Sequence, residues 1–477
     1  MSMYKITEEF IENYISELLC SYSQEAHKKL LSFEAFSPQS FVVSDKRDRI
    51  PLLYFNDITY EDWIRDMILD QLDKLDLSCD EVAAVCRQTL ENLDVFLRFE
   101  HNGTPVAHQL YNQEFVDSIR KILLFTIEGT LEKELHPAQS FNHLADSFMP
   151  LVLSKIRQMG LSRSEIFKLS IASGLSGLDL KGAPSASSTY ASTGISMRPY
   201  YGMAPQTAAE DYLAKLLTVM RQSTTPAFDW TSFQTALSGA KRLVWMTDDY
   251  IESYFDLYFI SLTLAQYPDL SVEIIPKNGR YGNDLSWTDL DKMLELPVFE
   301  PLKPYRQENR LQINRYGPKM GAANIRKLSD ISVRSLLSAD FVLLKGCRIH
   351  EMLQGGLNVD VFCSYTVSRT LSETVTGYNS KEYPILFFHL RPKEYAFFGM
   401  DPANAKTVDL PDGRRIVCCM STLSDHIKRK NMSSPEEIEA EIQWLAHREA
   451  SYIGNTQPIR NEMDILKEKL ALLTGKG

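Results

Sequence analysis

The feature that most restricts this chain is a change of texture near residue 226. Beyond it, short apolar runs of strand length alternate with amphipathic stretches of helical period. The apolar runs fall at residues 242–246, 271–275, 311–314, 341–344, 385–390 and 415–419, and helical patterns fall at 252–265, 287–294 and 329–337. Such alternation predicts a mainly parallel sheet, because parallel neighbours need a long crossover and a helix is the usual one. Helices then cover both faces, and ligands bind beyond the carboxyl ends of the strands. The residues that follow each apolar run are therefore the place to look for chemistry.

The first half reads differently. Segments 9–19, 60–75, 79–97, 112–127, 141–159, 164–172 and 208–222 carry apolar residues at three- and four-residue intervals, the period of amphipathic helices. Between residues 173 and 205 the chain turns to Ser, Gly, Ala, Thr and Pro, as in Lys181-Gly182-Ala183-Pro184-Ser185-Ala186-Ser187-Ser188. Such a stretch lacks the large side chains that offset ordering entropy, and it predicts a long surface loop. A last helix opens at Ser434-Pro435-Glu436-Glu437, a Ser cap with Pro at the first helical position. The expected class is α/β: a three-layer α/β/α domain with a mainly parallel sheet over 226–433. An all-helical domain over 1–225 precedes it, and a C-terminal helical segment over 434–477 follows.

Composition narrows the function classes. With 51 Lys+Arg against 62 Asp+Glu the net charge is −11, which argues against a general nucleic-acid binder. No apolar run approaches the length of about 18 residues that a membrane span needs, and the N-terminal stretch is acidic where a signal peptide is basic. The expectation is a soluble cytoplasmic protein with neither a nucleic-acid nor a membrane partner. Seven scattered cysteines contain no C-x-x-C pair and the histidines no H-E-x-x-H, so neither a disulfide framework nor a zinc site is suggested.

Carboxylates gather at the strand ends. The run Arg242-Leu243-Val244-Trp245-Met246 passes straight into Thr247-Asp248-Asp249, and the following helix carries Glu252 and Asp256. Adjacent acids at the edge of a buried strand repel each other unless donors or a cation satisfy them, and a hard divalent cation does so most simply. The structural alternative is that Asp248 or Asp249 caps the helix and Glu252 favours its positive end, each effect worth about 1 kcal/mol or less. The next run leads to Lys277 and then to Asn283-Asp284-Leu285-Ser286-Trp287-Thr288-Asp289. Ser286 and Asp289 have the spacing of a helix-start box, which leaves Asn283-Asp284 unexplained.

Cations follow the later runs. The run at 341–344 ends in Lys345-Gly346, where glycine admits close backbone approach and a phosphate can sit at a helix N-terminus. The run at 385–390 ends in Arg391-Pro392-Lys393, expected at the matching edge. Acids to hold a metal and cations to hold an anion, all at strand ends, together specify a metal-assisted phosphoryl site.

In order and spacing these segments resemble the damage-control phosphatase family, long catalogued as domain of unknown function eighty-nine. The nearest branch is the one named for an acidic-residue methyltransferase-like activity. The family's Asp-Asn-x-Gly-Glu-x-x-x-Asp is matched by Asp248-Asp249-Tyr250-Ile251-Glu252-Ser253-Tyr254-Phe255-Asp256, and its Asn-Asp-x-Thr-x-x-Asp by Asn283 through Asp289. Its Ala-Asp-hydrophobic-Lys-Gly is similar to Ala339 through Gly346, its Leu-Arg-x-x-Lys to Leu390-Arg391-Pro392-Lys393, and an N-terminal Asp-Arg-aliphatic-Pro to Asp48-Arg49-Ile50-Pro51. The likeness covers residues 241–399 well and the helical half faintly.

The resemblance implies divalent-metal-dependent hydrolysis of small phosphate esters, notably sugar phosphates. It puts the metal on Asp248, Asp249 and Asp284, and substrate contacts on Asn283, Lys345, Gly346 and Lys393. Oxygen ligands suit Mn²⁺ or Mg²⁺, with Co²⁺ or Ni²⁺ also accepted. Asp248 is a candidate catalytic group, and the attacking group is either a water or its carboxylate; Glu252 is the candidate for orienting or deprotonating that water. Three departures stand out: Asp249 replaces the family Asn, Ile251 replaces its Gly, and Cys347, Arg348 and Ile349 follow Gly346.

Two other readings stand beside the phosphatase. One is an S-adenosylmethionine-dependent protein carboxyl methyltransferase, for which no Gly-rich cofactor loop is found. The other is a non-catalytic binding module on the same fold. A haloacid-dehalogenase phosphatase is disfavoured because its Asp-x-Asp is absent: Tyr250 follows Asp249.

Overall fold

The computed structural model describes residues 79–106, 112–131, 137–177, 195–222, 227–279, 284–318, 328–346, 357–367, 376–378, 382–392, 394, 406–409, 415–418, 423–451 and 456–475, with positions 7, 11 and 28–30. From residue 79 the described residues form the helices α1 (Cys79–Arg98), α2 (Asn112–Leu131), α3 (Pro137–Met159), α4 (Arg163–Ser173) and α5 (Pro205–Gln222). The start of α4 is fixed by its sequence. Ser162 accepts from the Glu165 amide while the Glu165 side chain returns to the Ser162 amide, a complete capping box. The expected helices at 9–19 and 60–75, the Asp48 to Pro51 segment and residues 178–194 of the Ser/Gly-rich stretch lie outside the described residues.

Helix α6 (Trp230–Gly239) leads into strand β1 (Arg242–Met246) and helix α7 (Tyr250–Gln266). Strands β2 (Ser271–Ile275), β3 (Leu311–Ile313), β4 (Phe341–Lys345), β5 (Val361–Thr366) and β6 (Ile385–Leu390) follow, with helix α8 (Trp287–Leu294) before β3 and α9 (Asp330–Leu337) before β4. The six strands form one sheet in the order β6-β5-β4-β1-β2-β3. All neighbours are parallel except β6 and β5. The chain builds outward from β1 to β3 and then returns to lay β4 on the other side of β1, so the switch of direction falls between β1 and β4. In open α/β sheets a ligand crevice opens at that point, beyond the carboxyl ends of the strands.

Register assigns the faces. Trp245, Ile274, Leu343 and Phe362 are partners across β1, β2, β4 and β5 and share one side. Helices α4, α6 and α7 cover that side. Phe167 of α4 sits 4.7 Å from Phe387, 5.0 Å from Phe259, 5.4 Å from Phe233 and 6.2 Å from Trp245, ring centre to ring centre. One continuous core therefore runs from α3, α4 and α5 through α7 to the sheet. The opposite face carries Val244 and Glu273, and Glu273 accepts from Ser335 of α9 at 2.6 Å. The result is the expected three-layer α/β/α arrangement with helices preceding it.

Three expectations for the sheet need correction. Residues 361–366 form β5, although Val361-Phe362-Cys363-Ser364-Tyr365-Thr366 is broken by Ser, Cys and Thr and gives no apolar run. The segment at 415–419 is not in the sheet: Arg415–Cys418 pairs with Lys406–Asp409 in a separate two-stranded ribbon. Strand β6 runs antiparallel, with Leu390 opposite Val361 at the start of β5, so Arg391 leaves the sheet at the edge opposite Asp248.

The chain closes with α10 (Leu423–Asn431) and a hairpin of α11 (Pro435–Ser451) and α12 (Gln457–Thr474), which holds a small core of Ile438, Leu445, Ile459, Met463 and Leu466. This part is tied to the far end of β6: Lys430 Nζ bonds the His389 carbonyl and Asp229 Oδ2, both at 3.1 Å, and Lys469 Nζ bonds the Lys430 carbonyl at 2.6 Å. Among the described residues, no helix is long and apolar enough to cross a membrane.

Candidate metal centre

At the carboxyl end of β1 the chain turns sharply into α7, and the two residues at the turn are Asp248 and Asp249. Asp249 occupies the N-cap of α7 in extended geometry, yet its side chain makes no capping hydrogen bond. Asn and Asp at this position normally cap, which stabilises a helix by about 1 kcal/mol. The helix-cap account of the acid pair therefore fails for Asp249.

The carboxylate belongs instead to a cluster. Oxygens of Asp248, Asp249 and Asp284 all lie within 4.8 Å of one another, and the three residues are half-buried. Asp284 reaches them because the loop after β2 folds back: Asp249 and Asp284 form an isolated antiparallel bridge, and the Leu285 amide donates to the Asp248 carbonyl at 2.7 Å. Beyond it, Ser286 accepts from the Asp289 amide and opens α8, as the helix-start spacing predicts. Among the described residues no other three His, Cys, Asp or Glu converge in this way.

The donor set fits a hard divalent cation. Oxygens held about 2.1–2.5 Å from one ion are at most about 5 Å apart. Three carboxylates confined to that radius repel one another, and a cation at their centre removes the repulsion. Lys277, buried at the end of β2, adds a local positive charge with its Nζ 3.5 Å from Asp284 Oδ2. It is the site residue that the sequence reading left without a role. Its signal is a charged residue two positions beyond the apolar run at 271–275.

Gly346 forms the wall behind Asp248. Its φ is +89°, and a Cβ built there would fall 1.9 Å from Asp248 Oδ2. Only glycine leaves this space and tolerates this backbone. Its amide is spent within the sheet, donating to the Ser364 carbonyl at 2.9 Å.

Lys345 and Glu252 lie deeper. The Lys345 ammonium is fully buried, 2.7 Å from Glu252 Oε1, 3.1 Å from Asp256 Oδ1 and 2.7 Å from Ser170 Oγ. Ser170 of α4 also donates a very short bond to Asp256 Oδ1. Burial works against the charge on Lys345, but Asp256 and Glu252 outweigh it and hold its pKa above the usual lysine range. Burial is also the chief influence on both acids and raises both: Glu252 is pushed up to about 8, with Asp256 and Asp248 adding to the rise and Lys345 opposing it. Two carboxylates around one ammonium would leave a net negative charge in a dry place, and a proton retained on Glu252 removes it.

A pH dependence follows for the metal-free chain. Glu252 keeps a proton when folded that it loses above about 4.5 when unfolded, so unfolding releases a proton between the two values. Stability then falls as pH rises from about 4.5 to about 8, by up to about 1.4 kcal/mol per unit, and levels off above. Glu252→Gln has no proton to lose and is expected to flatten this fall in denaturant unfolding with chelator present. An unchanged slope would mean that Glu252 is ionised in the folded chain.

Of the other residues expected here, Asn283 and Lys393 lie outside the described residues, as do Cys347, Arg348 and Ile349. Arg391, two residues before Lys393, stands at the opposite edge of the sheet from Asp248.

Fold and site together define an α/β protein of switched parallel topology with an acidic, metal-suited centre at the switch. In comparison with solved structures, the chain is similar to a DUF89 family protein from Pyrococcus horikoshii, with 13% identity, 69% of this chain and 98% of that chain covered, and a TM-score of 0.46. No family model and no curated protein matches the chain.

Proposed function

We propose that this chain is a divalent-metal-dependent phosphatase acting on small phosphate esters, sugar phosphates among them, in the cytosol. The observation that carries the reading is the meeting of Asp248, Asp249 and Asp284 at the sheet's switch point, with Asp249 at a helix N-cap but not capping. The order of motifs along the sequence supports it, including the segment that resembles the methyltransferase-like branch.

Bound Mn²⁺ or Mg²⁺ would supply Lewis acidity at a phosphoryl oxygen. The chain's own residues do the rest. Asp248, Asp249 and Asp284 hold the ion, and Lys277 offsets the charge that three carboxylates leave in excess of a divalent cation. Asp248, pressed against Gly346, would act as nucleophile or align the attacking water. Glu252, one turn into α7, is buried against Lys345. Asn283, next to Asp284 in the sequence, would contact the substrate.

The test is turnover of p-nitrophenyl phosphate and a panel of sugar phosphates with Mg²⁺, Mn²⁺, Co²⁺ or Ni²⁺, alongside thermal unfolding. Hydrolysis that requires the metal is expected. Metal at 100 times its Kd should also raise stability by about 2.7 kcal/mol. Stabilisation without hydrolysis on any substrate would replace this reading with a non-catalytic metal-binding module, and calorimetric binding of S-adenosylmethionine would replace it with the methyltransferase.

A further inference from the structure

We propose that Lys345 is a positioning residue: with Asp256 and Ser170 it braces the two walls of the acidic triad and does not touch substrate. The inference rests on the metal-dependent reading above and deepens it.

The first argument is a count of donors. An ammonium has three N–H groups. Lys345 has three acceptors within 3.1 Å, on Glu252, Asp256 and Ser170, and no exposed surface. No donor is left for a phosphate. The second argument is where the brace is attached. Lys345 is the last residue of β4, and the next residue is Gly346, whose backbone lies against the Asp248 carboxylate. Glu252 and Asp256 lie on α7, whose N-cap is Asp249. Pinning one side chain to both elements fixes the backbone beside Asp248 and the helix that starts at Asp249. Ser170 extends the brace to α4, so the helical half takes part in setting the triad.

The third argument is cost. Asp256 Oδ2 and, beside Lys345 across the ladder, Ser364 Oγ are buried without a hydrogen-bond partner. Buried ion clusters with unsatisfied atoms are commonly no more stable than apolar replacements. Packing alone does not account for this one, whereas holding ligands to a fraction of an ångström does.

The experiment compares the full chain with Lys345→Met, with Lys345→Met/Asp256→Asn, which removes the charge that the single change strands, and with Ser170→Ala. Calorimetry reads Mn²⁺ affinity, and inorganic phosphate is then titrated into the Mn²⁺-loaded protein. The double variant is expected to bind Mn²⁺ at least about tenfold more weakly, the range typical of lost supporting contacts. Its phosphate affinity at saturating Mn²⁺ should change less than about threefold, the effect of a buried charge that makes no contact. Ser170→Ala, which keeps every charge, should weaken Mn²⁺ in the same direction.

A tenfold loss of phosphate affinity with Mn²⁺ binding unchanged would make Lys345 a substrate contact and overturn the proposal. So would Mn²⁺ affinities equal to the parent's in all three variants. A parent that binds Mn²⁺ but hydrolyses nothing would sink the phosphatase reading alone, since the metal titration needs no turnover. A parent that binds no Mn²⁺ would sink both.

Discussion

Asp248→Ala is expected to abolish metal-dependent turnover, with kcat/KM falling by at least about a thousandfold, and to remove the stabilisation that Mn²⁺ gives the parent. In the proposed function Asp248 takes two roles, ligand and nucleophile or water-aligning group, and its carboxylate lies against Gly346 at the end of β4. Its loss removes one of the three carboxylate oxygens that converge on the ion's place and leaves the β4 side of the centre without a ligand, so the ion is held far more weakly. The metal-free variant should be at least as stable as the metal-free parent, because one of three crowded negative charges has gone. That pairing of lost function with retained stability distinguishes a metal centre from a structural acid cluster. If Asp248→Ala were instead destabilised without metal while metal still stabilised it, the triad would not be the ion's seat.

Gly346→Ala is the second. The new Cβ would lie 1.9 Å from Asp248 Oδ2 and 2.3 Å from its Cγ, distances no pair of unbonded atoms sustains. The carboxylate must swing away, and metal affinity should fall about a hundredfold, the upper range for misplaced ligands. A positive φ adds about 1–2 kcal/mol of backbone strain for any residue with a Cβ. Gly103→Ala separates the two effects, since Gly103 has φ +72° but nothing within 4 Å of a built Cβ. It should show the strain as a lower Tm with metal binding intact. Equal metal affinity in Gly346→Ala and parent would show that the Asp248 carboxylate has another seat.

Much of the site could be read before the fold was known, for a simple reason. Asp248 and Asp249 come just after the run at 242–246, and parallel strands deliver such residues to one edge whatever the details of packing; Asp284 comes nine residues after its run and is signalled only by Asn283-Asp284 standing outside the helix-start box. What the runs do not encode is direction and face. Residues 385–390 look like any other strand, but β6 is reversed, which sends Arg391 to the far edge. Phe341-Val342-Leu343-Leu344 is apolar throughout, since a central strand is buried on both sides. The face on which Lys345 falls therefore had no alternation to reveal it, and the ammonium turns inward to α7 and α4. Strand β5 escaped notice because Cys363 and Ser364 interrupt it, and Ser364 is buried beside Lys345. Lys277 carries a legible signal, a charged residue just past a buried strand.

The reversal of β6 also settles how the molecule can be handled. Because α10 to α12 hang from the end of β6, at the sheet edge away from the triad, the carboxyl terminus is the natural point of attachment to a sensor chip or bead. A chain tethered there keeps the support at the sheet edge opposite the triad.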